Sequence, residues 1–386
     1  MKLVYLADIR FPMERANGIQ TIETCHALAR RGVEVELVVR RSDGRSDDEC
    51  LAFFGLAPHP KLRLRRLAIP GRFGFLVAAT PILLGTTRDD VIFTRDLVLA
   101  DLAIKLADAP MVYEAHTVAS VFAEERARMY EGVEPPSKRK RARLDAREAR
   151  VCRGAAGVVT ITSALLESLE TRHGPIGCSR VIRDGCRASE TPLPPLPPLG
   201  GGRPQVYYIG QLYPWKGVDV VIRAMTRIEG ATLVVVGGLP PEPDLERVRA
   251  LALELSLGER VRFTGFLPPP ELEAERRKAS VFVIPNLDSE TSRLYTSPLK
   301  LFEAMATGRP IVASDLPSIR EVLTHEENAL LVPPGEPEAL AAAVERLFGD
   351  AALSERLAAR AFEHVRNYSW ESRGAAIEEL AGEIVR

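Results

Sequence analysis

The stretch of sequence that decides the fold is residues 297–310, which read Ser-Pro-Leu-Lys-Leu-Phe-Glu-Ala-Met-Ala-Thr-Gly-Arg-Pro. Leu299 and Phe302 begin a series of apolar residues at helical spacing, which predicts a helix with one buried face. Ser297 suits the N-cap, and Pro298 suits the first helical position, where a missing N–H costs nothing. The glycine and the proline near the end of the stretch terminate the helix.

The start of this helix is suited to an anion, because the N–H groups of a first helical turn are free and the helix dipole favours negative charge there. A lysine in the first turn opposes the dipole unless an anion is bound, and Lys300 holds that position. Glu303, further along, can accept hydrogen bonds from ribose hydroxyls. The sequence therefore predicts a nucleoside diphosphate site built from Thr296, Ser297, Pro298, Leu299, Lys300 and Glu303.

Predicted strands and helices alternate along the chain, which indicates an α/β protein with two doubly wound, Rossmann-like parallel sheets. The sheets are predicted to place the carboxyl ends of their strands on a shared cleft, where α/β proteins bind ligands. Residues 189–204 are rich in proline and glycine and predict a linker; a proline run of this kind is alternatively a ligand for an SH3-like partner. The predicted domains are residues 1–188 and 205–368.

Composition narrows the class of protein. The chain has 386 residues, a net charge of -1 and five cysteines without a CxxC pair. These values favour a globular protein in a reducing compartment and argue against a nucleic-acid partner or a disulfide framework. The apolar stretch at 73–85 is too short to span a membrane, and the first residues predict a strand rather than a signal peptide. The cytoplasm is the expected location.

Four stretches resemble the retaining family-4 glycosyltransferases: residues 297–321, IGQLYPWKGVD at 209–219, RFTGFL at 262–267 and YEAH at 113–116. The resemblance implies the two-domain GT-B fold, with a C-terminal helix at about 369–386 that returns to the first domain. It also implies transfer of a sugar from a UDP- or GDP-linked donor with retention at the anomeric carbon. The acceptor does not follow; a saccharide, a lipid-linked molecule and a small metabolite all stay open.

Lys216 follows a predicted strand, in the motif that begins at Gly210. A cation at the end of a strand can neutralise a leaving diphosphate, for which charge stabilisation is the largest catalytic term. The alternative is a surface lysine in a turn. Many relatives carry an arginine where this chain has Gln211, which cannot supply charge. Either Lys216 then provides most of the positive charge, or a second cation comes from Lys300, Arg293 or Arg320.

A second departure from the family pattern lies before Glu303. The family has a glutamate eight residues earlier, which contacts the transferred sugar, and here that position is Tyr295. Glu290 or Asp288 on the preceding loop is a candidate replacement, and Ser292 or Thr296 can bond sugar hydroxyls. The alternative interpretation of this loop is that it is only solvated.

His116 ends a predicted strand at the cleft edge of the first sheet, two residues after Glu114. The resemblance implies that it helps to position the donor sugar; a lone histidine is alternatively structural. Gly18, directly before the first predicted helix, allows close approach of a phosphate or an acceptor, and Arg10 or Arg15 can meet an anionic acceptor.

Nucleobase recognition is assigned by the resemblance to Gly265 and Phe266, largely through backbone groups. The identity of the base does not follow, and Phe266 is alternatively a core residue. The sequence has neither a DxD motif nor a cluster with metal-ligand spacing. We therefore expect no cofactor and a transfer without a metal, in which Lys216 and the helix amides supply the charge stabilisation.

Residues 138–150 are strongly basic and are interpreted either as a solvated helix face or as a segment attracted to anionic lipids at the inner face of the membrane. Together with the apolar stretch at 73–84, the second interpretation favours a lipid-linked acceptor. Two other functions stay open: a nucleotide-sugar epimerase or hydrolase on the same fold, and a non-catalytic subunit.

Overall fold

The computed structural model describes residues 1–129, 132–187, 203–238, 242–267 and 269–385. The chain forms two compact units: unit 1 is Met1–Gly185 with Trp370–Arg386, and unit 2 is Cys186–Ser369. Most of the predicted linker at 189–204 lies outside the described residues.

Unit 1 contains seven strands, which are β1 Lys2–Phe11, β2 Glu34–Arg41, β3 Leu62–Leu67, β4 Asp90–Thr94, β5 Met111–Ala115, β6 Gly157–Thr160 and β7 Ser179–Val181. Its helices are α1 Ala16–Arg30, α2 Asp47–Phe53, α3 Gly71–Leu84, α4 Leu97–Leu106, α5 Ala119–Met129, α6 Lys138–Gly154 and α7 Ser163–His173, together with the C-terminal helix α16 Trp370–Ile384.

The strands of unit 1 form one parallel sheet in the order β3-β2-β1-β4-β5-β6-β7. The order reverses between β1 and β4, and this switch point is where open α/β sheets bind ligands. Helix α16 packs on α1, and Ile377 and Leu380 complete the core beneath β1 and β5. Two exposed ion pairs join the same helices, Arg30 with Glu371 and Arg31 with Glu378.

Unit 2 contains six strands, which are β8 Gln205–Ile209, β9 Thr232–Val236, β10 Val261–Gly265, β11 Val281–Ile284, β12 Ile311–Ser314 and β13 Leu330–Val332. Its helices are α8 Val218–Ala224, α9 Pro243–Glu254, α10 Pro269–Arg276, α11 Glu290–Leu294, α12 Leu299–Ala306, α13 Pro317–Arg320, α14 Pro337–Gly349 and α15 Ala351–His364. The strands form a second parallel sheet in the order β10-β9-β8-β11-β12-β13, with its switch point between β8 and β11. The predicted fold class of two doubly wound parallel sheets is therefore confirmed.

The structure corrects two predicted helix starts. Helix α12 begins at Leu299 and its N-cap is Pro298, whose ψ of 120° is extended, so Ser297 is not the cap and Pro298 is not the first helical residue. Helix α1 begins at Ala16, before Gly18, because the N–H of Gly18 already donates to the carbonyl of Arg15 at 2.8 Å. Gly18 therefore lies inside the first turn rather than directly before the helix.

Candidate functional site

Three glycines lie side by side where neighbouring strands of unit 2 end. Gly210 follows β8, Gly237 follows β9, and Gly265 ends β10; the N–H of Gly210 donates to Val236 at 2.9 Å and that of Gly237 to Gly265 at 2.9 Å. A Cβ at Gly237 would lie 2.0 Å from the carbonyl oxygen of Gly210, so the position accepts only glycine. The carboxyl edge of this sheet therefore presents bare backbone, which a ligand can approach closely.

The motif after β8 brings Lys216 to the same edge. Residues 214–216 form a short 3-10 turn, and Gly217 follows with φ of 67°, in the left-handed region. The backbone of Gly217 lies against Pro285, after β11, where a Cβ would approach the carbonyl oxygen to 1.9 Å. The N–H of Leu287 donates to the carbonyl of Trp215 at 2.8 Å, so the Lys216 turn is held against the end of β11.

Lys300, in the first turn of α12, reaches the sheet edge formed by Gly210, Gly237 and Gly265, which we call the glycine edge. Its Cδ would lie 3.6 Å from a Cβ at Gly210, and its ammonium lies 4.5 Å from the centre of the Tyr208 ring. The hydroxyl of Tyr208 donates to the carbonyl of Gln211 at 2.7 Å. The Lys300 ammonium is buried and has no hydrogen-bond partner among the described residues.

The two lysines form a concentration of positive charge, and neither has an acidic partner among the described residues. Burial lowers the pKa of Lys216 to about 8. Burial also holds the pKa of Lys300 well below its ordinary value, and the positive charge of Lys216 lowers it further. Such depressed values mark cations that have lost water without gaining a counter-charge, so an anion bound between them would restore the ordinary charge state.

The other predicted cations are already engaged. Arg293 lies 3.4 Å from Asp288, and Arg320 donates to Asp315 with one nitrogen at 2.6 Å; both arginine side chains are more than half exposed. Gln211 is half-buried, and its amide nitrogen has no partner among the described residues. Lys300 is thus the predicted second cation that the structure leaves available.

Glu303 lies on the same face of α12 as Lys300, and both line a small pocket with Arg276, Ile209 and Ile284. The carboxylate of Glu303 lies 2.6 Å from the Arg276 guanidinium. Arg276, at the end of α10, was not among the predicted site residues. A ribose that hydrogen-bonds to Glu303 would therefore meet an oriented carboxylate.

The family's missing first glutamate leaves a different arrangement. Tyr295 is buried and donates to Glu290 at 3.1 Å, so this carboxylate, at the start of α11 rather than on a loop, is held by the residue that stands in place of the family's glutamate. The hydroxyl of Thr296 donates to the carbonyl of Thr291 at 2.8 Å, while the Ser292 hydroxyl and both side-chain polar atoms of Asn286 are buried with no partner in the described structure. Asn286, two residues beyond β11, was missed by sequence reasoning; its only signal is a polar residue close to the end of a buried strand.

In unit 1, Glu114 near the end of β5 is the centre of a buried polar network. Gln20 donates to it at 2.7 Å, and Arg373 of α16 donates to the same oxygen; Glu114 and Arg373 are both buried. Burial alone would raise the pKa of Glu114, but the positive charges of Arg373 and Arg95 and the hydrogen bond from His116 outweigh it and hold the pKa well below the ordinary value. Glu114 is therefore a buried, ionised carboxylate.

His116 lies just beyond β5, with Nε2 3.2 Å from Glu114 and 3.5 Å from the amide nitrogen of Gln20. Burial lowers the pKa of His116, and Arg95 lowers it further, although Glu114 raises it. The histidine is thus neutral near pH 7, and a proton on Nε2 that is donated to Glu114 leaves Nδ1 as an acceptor.

The remaining predicted residues differ in their surroundings. Phe266 is half-buried directly after Gly265, whose φ of 71° turns the chain at the end of β10. Arg10 and Arg15 are exposed, and a Cβ at Gly18 would lie 2.4 Å from the carbonyl oxygen of Met13. The loop before α1 therefore packs tightly on the first turn of that helix.

Comparison with known proteins decides the family. The model described as Glycosyltransferase Family 4 matches residues 18–188, and that described as Glycosyl transferases group 1 matches residues 203–350. D-inositol 3-phosphate glycosyltransferase of Jonesia denitrificans is 25% identical over 387 residues, covering 92% of this chain and 88% of that protein. The chain is a family-4-type glycosyltransferase. The corresponding Nocardia farcinica protein is 30% identical, over 71% of this chain and 63% of that protein.

Solved structures show that this glycosyltransferase has the GT-B fold. Sucrose-phosphate synthase of Thermosynechococcus elongatus superposes with a TM-score of 0.75 at 21% identity, covering 100% of this chain and 99% of that one. Anabaena HepE, solved with UDP-glucose, gives a TM-score of 0.74 at 17% identity, covering 99% of this chain and 100% of that one.

Within the described ranges, no group of three or more His, Cys, Asp and Glu side chains is arranged to hold a metal ion. No helix in the described part of the chain has the length and apolar character needed to cross a bilayer.

Proposed function

We propose that the protein transfers a sugar from a nucleoside-diphosphate sugar to an acceptor, with retention at the anomeric carbon. One observation carries the donor assignment: Lys216 and Lys300 reach the glycine edge of unit 2 with depressed pKa values, and the Lys300 ammonium lacks a hydrogen-bond partner in the described chain. A diphosphate is the ligand that two desolvated cations beside bare backbone are suited to bind. UDP is the preferred nucleotide, because HepE was solved with UDP and with UDP-glucose.

The nucleotide is proposed to lie along the carboxyl edge of β8, β9 and β10. In this arrangement Lys216, Lys300 and the first amides of α12 hold the two phosphates, and Glu303 accepts hydrogen bonds from the ribose. The backbone at Gly265 and Phe266 meets the base. Lys216, Gly265 and Phe266 lie at or just after the ends of strands in unit 2, and Lys300 and Glu303 lie on α12.

The proposed reaction breaks the bond between the anomeric carbon and the diphosphate oxygen and forms a bond from that carbon to an acceptor hydroxyl oxygen. The hydroxyl proton passes to the leaving diphosphate, on which negative charge develops in the transition state. Lys216 and Lys300 stabilise that charge in the transition state, as a divalent ion does in other enzymes, so we propose a transfer that needs no metal. His116 is proposed to accept a hydrogen bond from a donor-sugar hydroxyl through Nδ1, because burial and Arg95 favour its neutral form and its Nε2 lies 3.2 Å from Glu114.

The experiment that tests this proposal uses NMR to follow the reaction of a UDP-sugar with each of a panel of acceptors. We expect UDP to be released only when an acceptor is present, the product to keep the anomeric configuration of the donor, and the rate to be unchanged by EDTA. Inversion would contradict the mechanism, and loss of rate with EDTA that added metal restores would contradict metal independence. Rapid turnover of the donor without any acceptor would instead favour an epimerase or a hydrolase.

A further inference from the structure

Helix α3 in unit 1 carries an apolar face that faces solvent. Phe73, Val77 and Leu84 are 80%, 57% and 62% exposed, and they account for three of the six large hydrophobic side chains exposed in the described chain. These positions, together with the exposed Pro81, recur every three or four residues and so lie on one side of the helix. The opposite side, with Phe75 and Leu83, is buried.

The surroundings of this face are basic. Helix α3 contains no acidic residue, and a groove beside it is lined by Leu76, Val77, Thr80 and four residues of α4, namely Val98, Asp101, Leu102 and Lys105. Asp101 in that groove is shared by Lys105 at 2.9 Å and by two arginines of α6 at 3.3 and 3.2 Å. One carboxylate thus faces three cations, which leaves excess positive charge at the edge of the apolar face.

The positive charge continues along α6. The two arginines that reach Asp101 are Arg147 and Arg150, and Arg139 and Arg143 precede them on the same side of the helix at spacings of four residues. The helix carries eight basic residues against two acidic ones, and one of the acidic residues, Glu148, is buried against His173. The basic run at 138–150 and the apolar helix α3 therefore belong to one surface, which is carried by α3, α4 and α6.

We propose that this surface docks on an anionic lipid bilayer. An apolar stripe beside a cluster in which three cations outnumber the single carboxylate of Asp101 matches the boundary between acyl chains and negatively charged headgroups. Charge selects this occupant, because a second copy of the chain would bring the same basic groups to the interface and repel the first.

Docking would also place the acceptor side of the protein near the bilayer. At the start of α3, Arg72 donates to both carboxylate oxygens of Asp96, at 2.9 and 2.8 Å, and Asp96 follows β4 at the sheet edge that also carries His116. An amphiphilic acceptor with its headgroup at the membrane surface would reach this edge without leaving the bilayer. This last step depends on the proposed transfer reaction, whereas the docking itself does not.

The test is flotation of the intact protein with vesicles of phosphatidylcholine alone and of phosphatidylcholine mixed with phosphatidylglycerol. We expect binding to the mixed vesicles and little binding to the neutral ones. The variant with Phe73→Ser, Val77→Ser and Leu84→Ser should lose about tenfold or more of this binding, because the apolar contact is removed. The matched control is Leu253→Ser, which removes a 73% exposed leucine in unit 2 and should leave binding unchanged.

A second variant tests the contribution of the basic residues on α6. Arg139→Gln with Arg143→Gln should weaken binding to the anionic vesicles by about fivefold per residue and make it less sensitive to salt. The nucleotide-induced thermal shift, measured on the same variants, should not change. A missing shift in the wild type would contradict the proposed function and leave the lipid result to stand by itself.

Three outcomes would overturn the proposal. The first is a wild-type protein that does not float with anionic vesicles, and the second is equal binding by the triple serine variant. The third is a wild-type dimer, detected by light scattering, that the same variant converts to a monomer without any lipid binding, since a second copy would then cover α3.

Discussion

The guanidinium of Arg373 donates a hydrogen bond to the carboxylate of Glu114, although the two residues are 259 positions apart and both side chains are almost completely buried. Arg373 also donates to Thr24 at 3.0 Å and to the carbonyls of Ile182 and Arg183 at 3.0 and 3.1 Å. Helix α16 therefore reaches the carboxyl edge of the unit 1 sheet and fixes the glutamate that contacts His116.

Arg373→Ala should lower the free energy of unfolding by about 3–5 kcal/mol, because the substitution leaves Glu114 as a buried and uncompensated charge. The measurement is urea unfolding. The matched control is Arg180→Ala, which removes an exposed pair between β7 and the same helix, Arg180 with Glu383 at 2.8 Å, and should cost under about 1 kcal/mol. Equal losses of unfolding free energy for the two substitutions would show that the buried pair stabilises the fold no more than the exposed pair does.

Donor binding should weaken as the pH rises above about 8, because burial lowers the pKa of Lys216 to about 8 and only the ammonium form attracts a diphosphate. Below that pH the Lys216 ammonium dominates, so Lys216 should add little pH dependence; above it, the dissociation constant for UDP should rise about tenfold per pH unit. Calorimetry across this range measures the effect. The pKa of Lys300 is also depressed, so Lys216→Arg should remove only the part of the dependence that Lys216 causes, and Lys216→Arg with Lys300→Arg should remove it altogether. An identical pH profile in the single variant would exclude Lys216 as a titrating group.

Gly217→Ala should destabilise unit 2 by more than about 2 kcal/mol and impair donor binding, since a Cβ would approach the carbonyl oxygen of Pro285 to 1.9 Å at a φ of 67°. Gly230→Ala is the control, because Gly230 has nearly the same φ, 69°, with open space around it. Backbone strain alone should cost about 1 kcal/mol there. Similar losses at the two positions would mean that the contact between the Lys216 turn and β11 is unimportant.

Glu303→Ala should weaken UDP binding by about tenfold, because a hydrogen bond from ribose to a charged acceptor contributes about 1.5–3 kcal/mol. Arg276→Ala should weaken it less, since Arg276 orients the Glu303 carboxylate from 2.6 Å without itself being assigned to the ribose. The measurement compares the affinity of each variant for UDP with its affinity for inorganic pyrophosphate, which has no ribose. A Glu303 variant that loses affinity for pyrophosphate as strongly as for UDP would refute a ribose contact.

The sequence indicated two parallel sheets but did not locate strand β3 or the first residues of α1 and α12. Short buried β-branched runs such as 232–236 and 281–284 favour parallel strands, whereas β3, with three arginines among its six residues, carries no such run. Helix α12 was predicted from its apolar period, yet its first residue was misplaced by one position. The extended ψ of Pro298, which fixes that start, leaves no pattern in the side chains.

The strand-end positions of Lys216 and His116 could be predicted from the sequence, and their roles in the site stay predictions. Pairings between residues far apart in the chain could not be predicted. Nothing near Arg373 in the sequence indicates that it meets Glu114, because helix α16 is separated from β5 by the whole of unit 2. Arg276 was missed for the same reason, since its pairing with Glu303 exists only after α10 and α12 have packed.

The most direct test of the account is thermal shift with UDP-, GDP-, ADP- and dTDP-sugars on the wild type and on Lys216→Ala with Lys300→Ala. Binding to the folded state raises the melting temperature by mass action. We expect a clear shift with one nucleotide series, UDP first, and its loss in the double variant, whose own fold should stay intact because neither ammonium makes an ion pair in the part of the chain that the structure describes. No shift with any donor, or an equal shift in the double variant, would contradict a diphosphate site at these lysines.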